Sequence, residues 1–355
     1  MQDRYTQVKG FVTIETPSTK NLGDEIQIIA AQKFVDKYRV ATVDRERLSD
    51  YDGPRARIIM NGWYLHNSDN WPPSSKLEPL ITSFHITDLK DSSGKDPREV
   101  LTKKGQNRDF LVSNGPIGAR DIETYRFLLQ HSIPTYFSGC LTLTLENKRL
   151  PKKDYICSVD AGDQVNRHLQ SLTDSQIVYL ENSSIPKHTD YNEKLALAQD
   201  TLDKYEQAKV VITTRLHAAL PSLALGTPVI LINNKNIDSS RYLGLKDLVR
   251  NCDAEDFLAG MYNELINSPT DNSDSYKTIA NHLNEIVECF VSKKKLPDLQ
   301  TISSENLAIV LQSKEKNESE LRDFYRYLFE NSGKKRKARS AIASRLLRGR
   351  RSKSV

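Results

Sequence analysis

The sequence predicts an α/β protein with two parallel-sheet units, and three observations carry that prediction. Short continuous runs of apolar and β-branched residues alternate with stretches of helical period, the pattern of buried parallel strands covered by helices. The 355 residues are enough for two units of ordinary size, each with its own core. A polar stretch at 146–153, ENKRLPKK, separates two such series and marks a boundary between them.

The first series opens with a strand at 8–14. It runs through Asn21-Leu22-Gly23-Asp24 into a helix whose apolar side includes Ile26, Ile29, Ala30 and Phe34. Further strands are expected at 57–61, 81–86, 110–113 and 135–138, with a helix at 120–130. In the second series the strands are expected at 155–159, 176–180, 210–213 and 229–232, with helices at 164–170 and 191–207. Residues 254–329 read as wholly helical and are expected to cross back and brace the first unit. The predicted domains are therefore 1–146 and 147–330, two Rossmann-like units facing a cleft in a glycosyltransferase-B-like arrangement, followed by a basic, disordered tail at 331–355. Sheets of this kind place ligands at the carboxyl ends of their strands, so residues just after each strand are the candidates for function.

Charge is distributed unevenly. Residues 333–355 hold ten Lys or Arg and no Asp or Glu, so the formal charge of +5 becomes −5 once they are set aside. The basic balance thus belongs to the tail, and an acidic body argues against a nucleic-acid-binding protein. The tail, with the modestly amphipathic stretch 341–348, suits either peripheral contact with an anionic membrane face or simple solubilisation. There is no run of about 18 apolar residues and no signal-peptide pattern at the start, which gives a cytoplasmic expectation. Cys140, Cys157, Cys252 and Cys289 are scattered without metal-ligand spacing and are expected to be reduced, mostly buried thiols, with no metal site. Dinucleotide, P-loop and nucleophile-elbow motifs are absent.

The most informative stretch is 208–234, AKVVITTRLHAALPSLALGTPVILINN. A strand ending at Thr213-Thr214, where a hydroxyl can cap the next helix, delivers Arg215 and His217 to its first turn. Leu216, Ala219, Leu220 and Leu223 form its buried side, and Gly226 and Pro228 close it. Backbone N–H groups, an Arg and a His at one sheet edge make an anion site, although the same two side chains also suit a solvated helix start. Asp24 reads as a helix cap as readily as a functional carboxylate. Arg120 and Asp121 read equally as a surface ion pair. Trp63, His66 and Asn67 follow the strand at 57–61, and His85 lies at the end of the strand at 81–86. All four point toward the expected cleft, where an aromatic ring suits a sugar face.

Thr213-Thr214-Arg215-Leu216-His217 followed by a small-residue helix and Gly226-Thr227-Pro228-Val229 resembles the C-terminal signature of the polysaccharide pyruvyl transferase family. Asn21-Leu22-Gly23-Asp24-Glu25-Ile26-Gln27 is similar to that family's N-x-G-D loop, and Gly115 to Asp121 resembles the segment leading into its R-D helix. The three blocks span roughly two thirds of the chain. Gly139-Cys140-Leu141-Thr142 replaces the family's common D-P, and Thr124 matches its Ser or Thr after R-D only loosely.

The resemblance implies transfer of the enolpyruvyl group of phosphoenolpyruvate to sugar hydroxyls of a polysaccharide or its lipid-linked precursor, forming a pyruvate ketal without a further cofactor. The first unit would hold the acceptor and the second the phosphoenolpyruvate, bound by Arg215, Leu216 and His217. Two anionic groups on one small skeleton call for two cationic centres, and Arg120 and Arg215 are expected to supply them. His217 is the expected general acid or phosphate-orienting group and Asp24 the residue that activates or positions a hydroxyl. Trp63, His66, Asn67 and His85 are the expected acceptor-binding residues. A nucleotide-sugar-dependent glycosyltransferase of the same architecture is the alternative.

Overall fold

The computed structural model describes residues 10–185, 189–233 and 239–331. Residues 332–355 of the expected tail and the first two residues of the expected opening strand lie outside them, and Asn331 ends a helix.

The first sheet contains β1 (Phe11–Glu15), β2 (Arg39–Asp44), β3 (Ala56–Gly62), β4 (Leu77–Phe84), β5 (Ile117–Ala119) and β6 (Thr135–Phe137). They lie in the order β2-β1-β3-β4-β5-β6 and every pairing is parallel. β1 is buried along most of its length, as a strand covered on both faces must be. Its connection is α1 (Leu22–Val35), which the Asn21 side chain caps by accepting from the Gly23 N–H. The cap is thus Asn21, and Asp24 is left for other contacts. At the end of β3 the register with β4 shifts between Met60 and Gly62, and Gly62 takes a φ of +119°, a conformation that favours glycine. That irregularity ends the strand just before Trp63.

Two short helices, α2 (Pro97–Thr102) and α3 (Gln106–Ser113), precede β5, and α4 (Ile122–Gln130) follows it. The strand expected at 110–113 is therefore the last turn of α3, of which only Leu111 is buried. β2 and β5 were not expected from the sequence.

The second sheet contains β7 (Tyr155–Val159), β8 (Gln176–Leu180), β9 (Val210–Thr213), β10 (Val229–Asn233) and β11 (Arg250–Asp253), in the order β11-β10-β9-β7-β8 and again all parallel. α5 (Asp163–Leu172), α6 (Tyr191–Gln207) and α7 (Leu216–Ala224) connect its strands. A capping box starts α6, with Asp190 and Glu193 each accepting from the other's end of the first turn. α7 is buried almost throughout, and Gly226, at a φ of +75°, turns the chain out of it toward β10. β11 is a further strand that the sequence reading did not include.

The remainder is helical, as expected: α8 (Ala254–Leu258), α9 (Asn263–Asn267), α10 (Tyr276–Val291) and α11 (Leu299–Asn331). α11 crosses back onto the first sheet. The Phe137 N–H donates to Ser303 Oγ at 2.8 Å and Asn306 Nδ2 donates to the Phe137 carbonyl at 3.1 Å, so α11 satisfies the outer edge of β6.

The two sheets share apolar packing. One buried cluster runs from Ile26 and Phe137 through Leu220 and Val211 to Leu283. Loops at the carboxyl ends of both sheets also touch: the Leu22 N–H donates to the Asn182 carbonyl at 2.7 Å, and the Ile122 N–H to the Leu243 carbonyl at 3.1 Å. Cys140, Cys157 and Cys252 are buried, Cys289 is partly so, and all four are free thiols. No described helix is long and apolar enough to cross a membrane.

Candidate active site

A pocket of about 360 Å³ opens at the carboxyl edge of the first sheet, lined among others by Asp24, Trp63, His66, His85, Arg120 and Arg241. Five of the six were expected from the sequence. Each of those five follows a strand of the first sheet: Asp24 after β1, Trp63 and His66 after β3, His85 after β4 and Arg120 after β5.

Arg120 is the central group. Its side chain is 1% exposed, so it is not the surface ion-pair partner that its neighbour Asp121 suggested. Its Nε stands 3.6 Å from Asp121 Oδ2, outside hydrogen-bond reach, and neither Nε nor Nη2 has a partner. A buried guanidinium with unsatisfied N–H groups is costly by itself, and a bidentate anion is the partner its geometry suits. Arg241, in the short turn Ser239–Tyr242, adds a second cation to the same pocket, and its Nε is also buried and unpartnered.

Asp24 is wired into the first unit. Thr19 Oγ1 donates to it at 2.7 Å and Arg45 Nη1 lies 3.4 Å from its Oδ2. Burial alone would push its carboxyl up, but Arg45, Thr19 and the nearby histidines hold it below the usual carboxylate range. It is an ionised acceptor at neutral pH. Trp63 is half-buried, with its ring edge-on to His66 at 6.0 Å and to His85 at 6.1 Å between centroids. His66 is exposed and its Nδ1 is 2.8 Å from Glu46 Oε1. Asn67 does not line this pocket; its side chain accepts from the Asp69 N–H and starts the turn Ser68–Asn70.

Arg215, Leu216 and His217, expected from the second sheet, are not among the residues that line this pocket. Arg215 is the residue before α7, and its N–H donates to Thr213 Oγ1 at 2.9 Å. The Thr214 hydroxyl donates to the Asp160 carbonyl and so does not cap the helix as expected. Arg215 Nε donates to Asp160 Oδ2 at 2.8 Å with a third of the side chain exposed. Leu216 is in the core. His217 is buried, with Nε2 3.8 Å from Cys140 Sγ. Burial, with Arg120 nearby, pushes its imidazole down to about 3 against the opposing pull of Asp24, so the ring is neutral over the ordinary pH range. His217 also packs on the start of α1 and thereby joins the two sequence blocks.

Arg241 lies in no motif, and nothing in its spacing singles it out. The contact between His85 and Asp121, 36 residues apart, is likewise invisible to spacing. Among the described residues no three His, Cys, Asp or Glu side chains are grouped to hold a metal ion.

Residues 108–236, which contain the R-D helix and the Arg215-Leu216-His217 turn, match the family described as polysaccharide pyruvyl transferase. The match covers 129 of the 355 residues. No curated protein matches the chain. Among solved structures, the uncharacterized protein KP1_0663 from Klebsiella pneumoniae subsp. pneumoniae NTUH-K2044 is similar over 66% of this chain and 87% of its own, at 16% identity and a TM-score of 0.41. A histidine-to-alanine variant of the wall teichoic acid polymerase TagF is similar over 87% of this chain and 90% of its own, at 13% identity and a TM-score of 0.41. The matched segment ends close to β10, so Arg120, Arg215 and His217 fall inside it while Asp24, His85 and Arg241 fall outside.

Proposed function

We propose that the protein transfers the enolpyruvyl group of phosphoenolpyruvate to two hydroxyls of a sugar, in a polysaccharide or its lipid-linked precursor, and forms a pyruvate ketal. The observation that carries this reading is the buried Arg120 and the partly buried Arg241, each with a buried guanidinium nitrogen that has no hydrogen-bond partner, in one pocket beside an aromatic wall. Phosphoenolpyruvate presents a phosphate and a carboxylate, and two cations able to bind bidentately suit it. Arg215, held by Asp160 outside the lining of that pocket, is a third guanidinium that the family resemblance assigns to the donor, and Leu216 shapes the apolar side of that turn.

Chemistry at this site needs the methylene carbon of phosphoenolpyruvate protonated, which leaves an oxocarbenium-like centre at C2 for a sugar hydroxyl to attack. Phosphate then leaves and a second hydroxyl closes the ring. His217, neutral in the free protein, orients the phosphate and gains proton affinity once the bound anion offsets Arg120. Asp24, ionised and already engaged, positions an acceptor hydroxyl, and the Trp63 face supports the sugar, flanked by His66 and His85 with Asn67 fixing the loop. The scheme uses no cofactor. Its place is the cytoplasmic side of the membrane, with the basic tail as a peripheral contact to the anionic face that carries lipid-linked acceptors.

The test is phosphate release from phosphoenolpyruvate with a panel of lipid-linked and aryl galactose, glucose, mannose and N-acetylmannosamine acceptors, comparing wild type with Arg215→Ala. Acceptor-dependent release that disappears in the variant supports the reading. Phosphoenolpyruvate that neither reacts nor raises the melting temperature, while a sugar nucleotide does, replaces it with a glycosyltransferase.

A further inference from the structure

One pair of side chains at the pocket has no task in this scheme beyond flanking the acceptor. His85 Nδ1 lies 2.7 Å from Asp121 Oδ2, with the two side chains 2% and 0% exposed. Asp121 Oδ1 accepts from the Thr124 N–H at 2.9 Å, which caps α4 and fixes the carboxylate in place. Burial would raise the Asp121 carboxyl, but His85, Arg120 and the Thr124 N–H outweigh it and hold it below the usual range. An ionised carboxylate only accepts, so the His85 proton sits on Nδ1 and Nε2 keeps its lone pair. That Nε2 is buried and has no hydrogen-bond partner. His217, by contrast, has the Cys140 sulfur at its own Nε2.

We infer that His85 Nε2 is the proton acceptor for the attacking sugar hydroxyl and that Asp121 is the positioning residue that holds its tautomer. The inference rests on the phosphoenolpyruvate-dependent reading above. In the first step the hydroxyl oxygen bonds to C2 of the protonated donor while its proton moves to His85 Nε2. As the C2–O bond to phosphate breaks, that proton passes to the departing phosphate oxygen, and neutral His85 then takes the proton of the second hydroxyl as the ring closes. The last proton goes to solvent and balances the one added to the methylene carbon. Neutral His85 is a weak base in the free protein, because burial and then Arg120 push it down to about 4. An anion bound by Arg120 offsets that charge, so the base strengthens once the donor is in place.

Wild type, His85→Gln and Asp121→Asn are compared for phosphate release with an acceptor that supports wild-type turnover, for phosphoenolpyruvate affinity by calorimetry, and for melting temperature. Glutamine can accept a hydrogen bond but cannot take the proton. Asparagine keeps the α4 cap but donates to Nδ1, which leaves the proton on Nε2. Both variants are expected to bind phosphoenolpyruvate within about threefold of wild type and to lose roughly 10²–10⁴-fold in kcat. Folded His85→Gln that keeps kcat within threefold overturns the inference, as does Asp121→Asn with unchanged kcat if His85→Gln does not fold. Wild type that consumes no phosphoenolpyruvate with any acceptor overturns the proposed function itself, and the role of the pair with it.

Discussion

Gly23 lies against His217 so closely that a methyl group added to it would stand 2.9 Å from His217 Cβ and 3.0 Å from Nδ1. Gly23 is in the first turn of α1, an ordinary place for a side chain, and helix propensity favours alanine there by about 1 kcal/mol. What excludes a side chain is a residue from the other sheet. Gly23→Ala is therefore expected to destabilise the protein by about 1–3 kcal/mol despite the gain in propensity. A melting temperature equal to or above wild type would show that the two loops part at no cost.

Arg120 invites the opposite trade. A buried guanidinium with two unpartnered N–H groups weighs against folding, and an apolar residue of similar length removes that cost. Asp121 keeps His85 as a partner when Arg120 is gone. Arg120→Met is expected to melt higher than wild type while its affinity for phosphoenolpyruvate falls at least 100-fold. Calorimetry and thermal melts on the same preparation check both halves. A variant that melts lower would mean that the guanidinium is a structural strut.

His217 sets a pH dependence of definite sign. Its folded value, about 3, lies below the 6.5 of an unperturbed imidazole, so between those values the unfolded chain binds more protons. Stability from this group is complete above about pH 6.5 and is lost as the pH falls, by about 1.4 kcal/mol per unit. Asp247, which burial raises to about 6, runs the other way below that pH, so the useful quantity is a difference. Relative to His217→Gln, wild type is expected to lose stability steadily from pH 6.5 to pH 5 in urea titrations. Parallel curves for the two proteins would place the imidazole in a wetter setting.

Lys194 reaches from α6 to the loop after β1, where its buried Nζ donates to the carbonyls of Thr16, Pro17 and Thr19 at 2.9–3.1 Å, with Glu25 at 4.0 Å. Those carbonyls precede Asn21 and Asp24. Lys194→Met is expected to cost about 3 kcal/mol, the scale for breaking a buried charged network, and to speed backbone hydrogen exchange in residues 16–24. Loss of stability with no change in exchange there would separate the lysine from the loop.

How far the sequence could be read follows from the length and apolar character of each run. β7, β8 and β9 are short β-branched runs between polar turns, and the sequence located them at Tyr155–Val159, Gln176–Leu180 and Val210–Thr213 without error. The reading failed where that signal fades. β2 (RVATVD) begins and ends with charged residues at one sheet edge, β11 is polar, and β5 has three residues. The apolar run at 110–113 carries no length cue and ends a helix. At the site, residues attached to motifs were legible, whereas the adjacency of Arg120 and Asp121 said nothing about their burial. Arg241 reaches the pocket from a turn that carries no motif, and the partnership of His85 with Asp121 is made by neighbouring strands, β4 and β5.

The contact of α11 with β6 also bears on how the chain is made. Phe137 waits for Ser303 and Asn306, 166 and 169 residues downstream, before its outward N–H and carbonyl are satisfied. During synthesis the first sheet emerges early but keeps an open edge until the whole second sheet and α10 have left the ribosome. The nascent chain is most exposed to strand addition by a neighbour during that interval, and a stop codon placed before residue 303 would leave the first unit, not the last, without its closure.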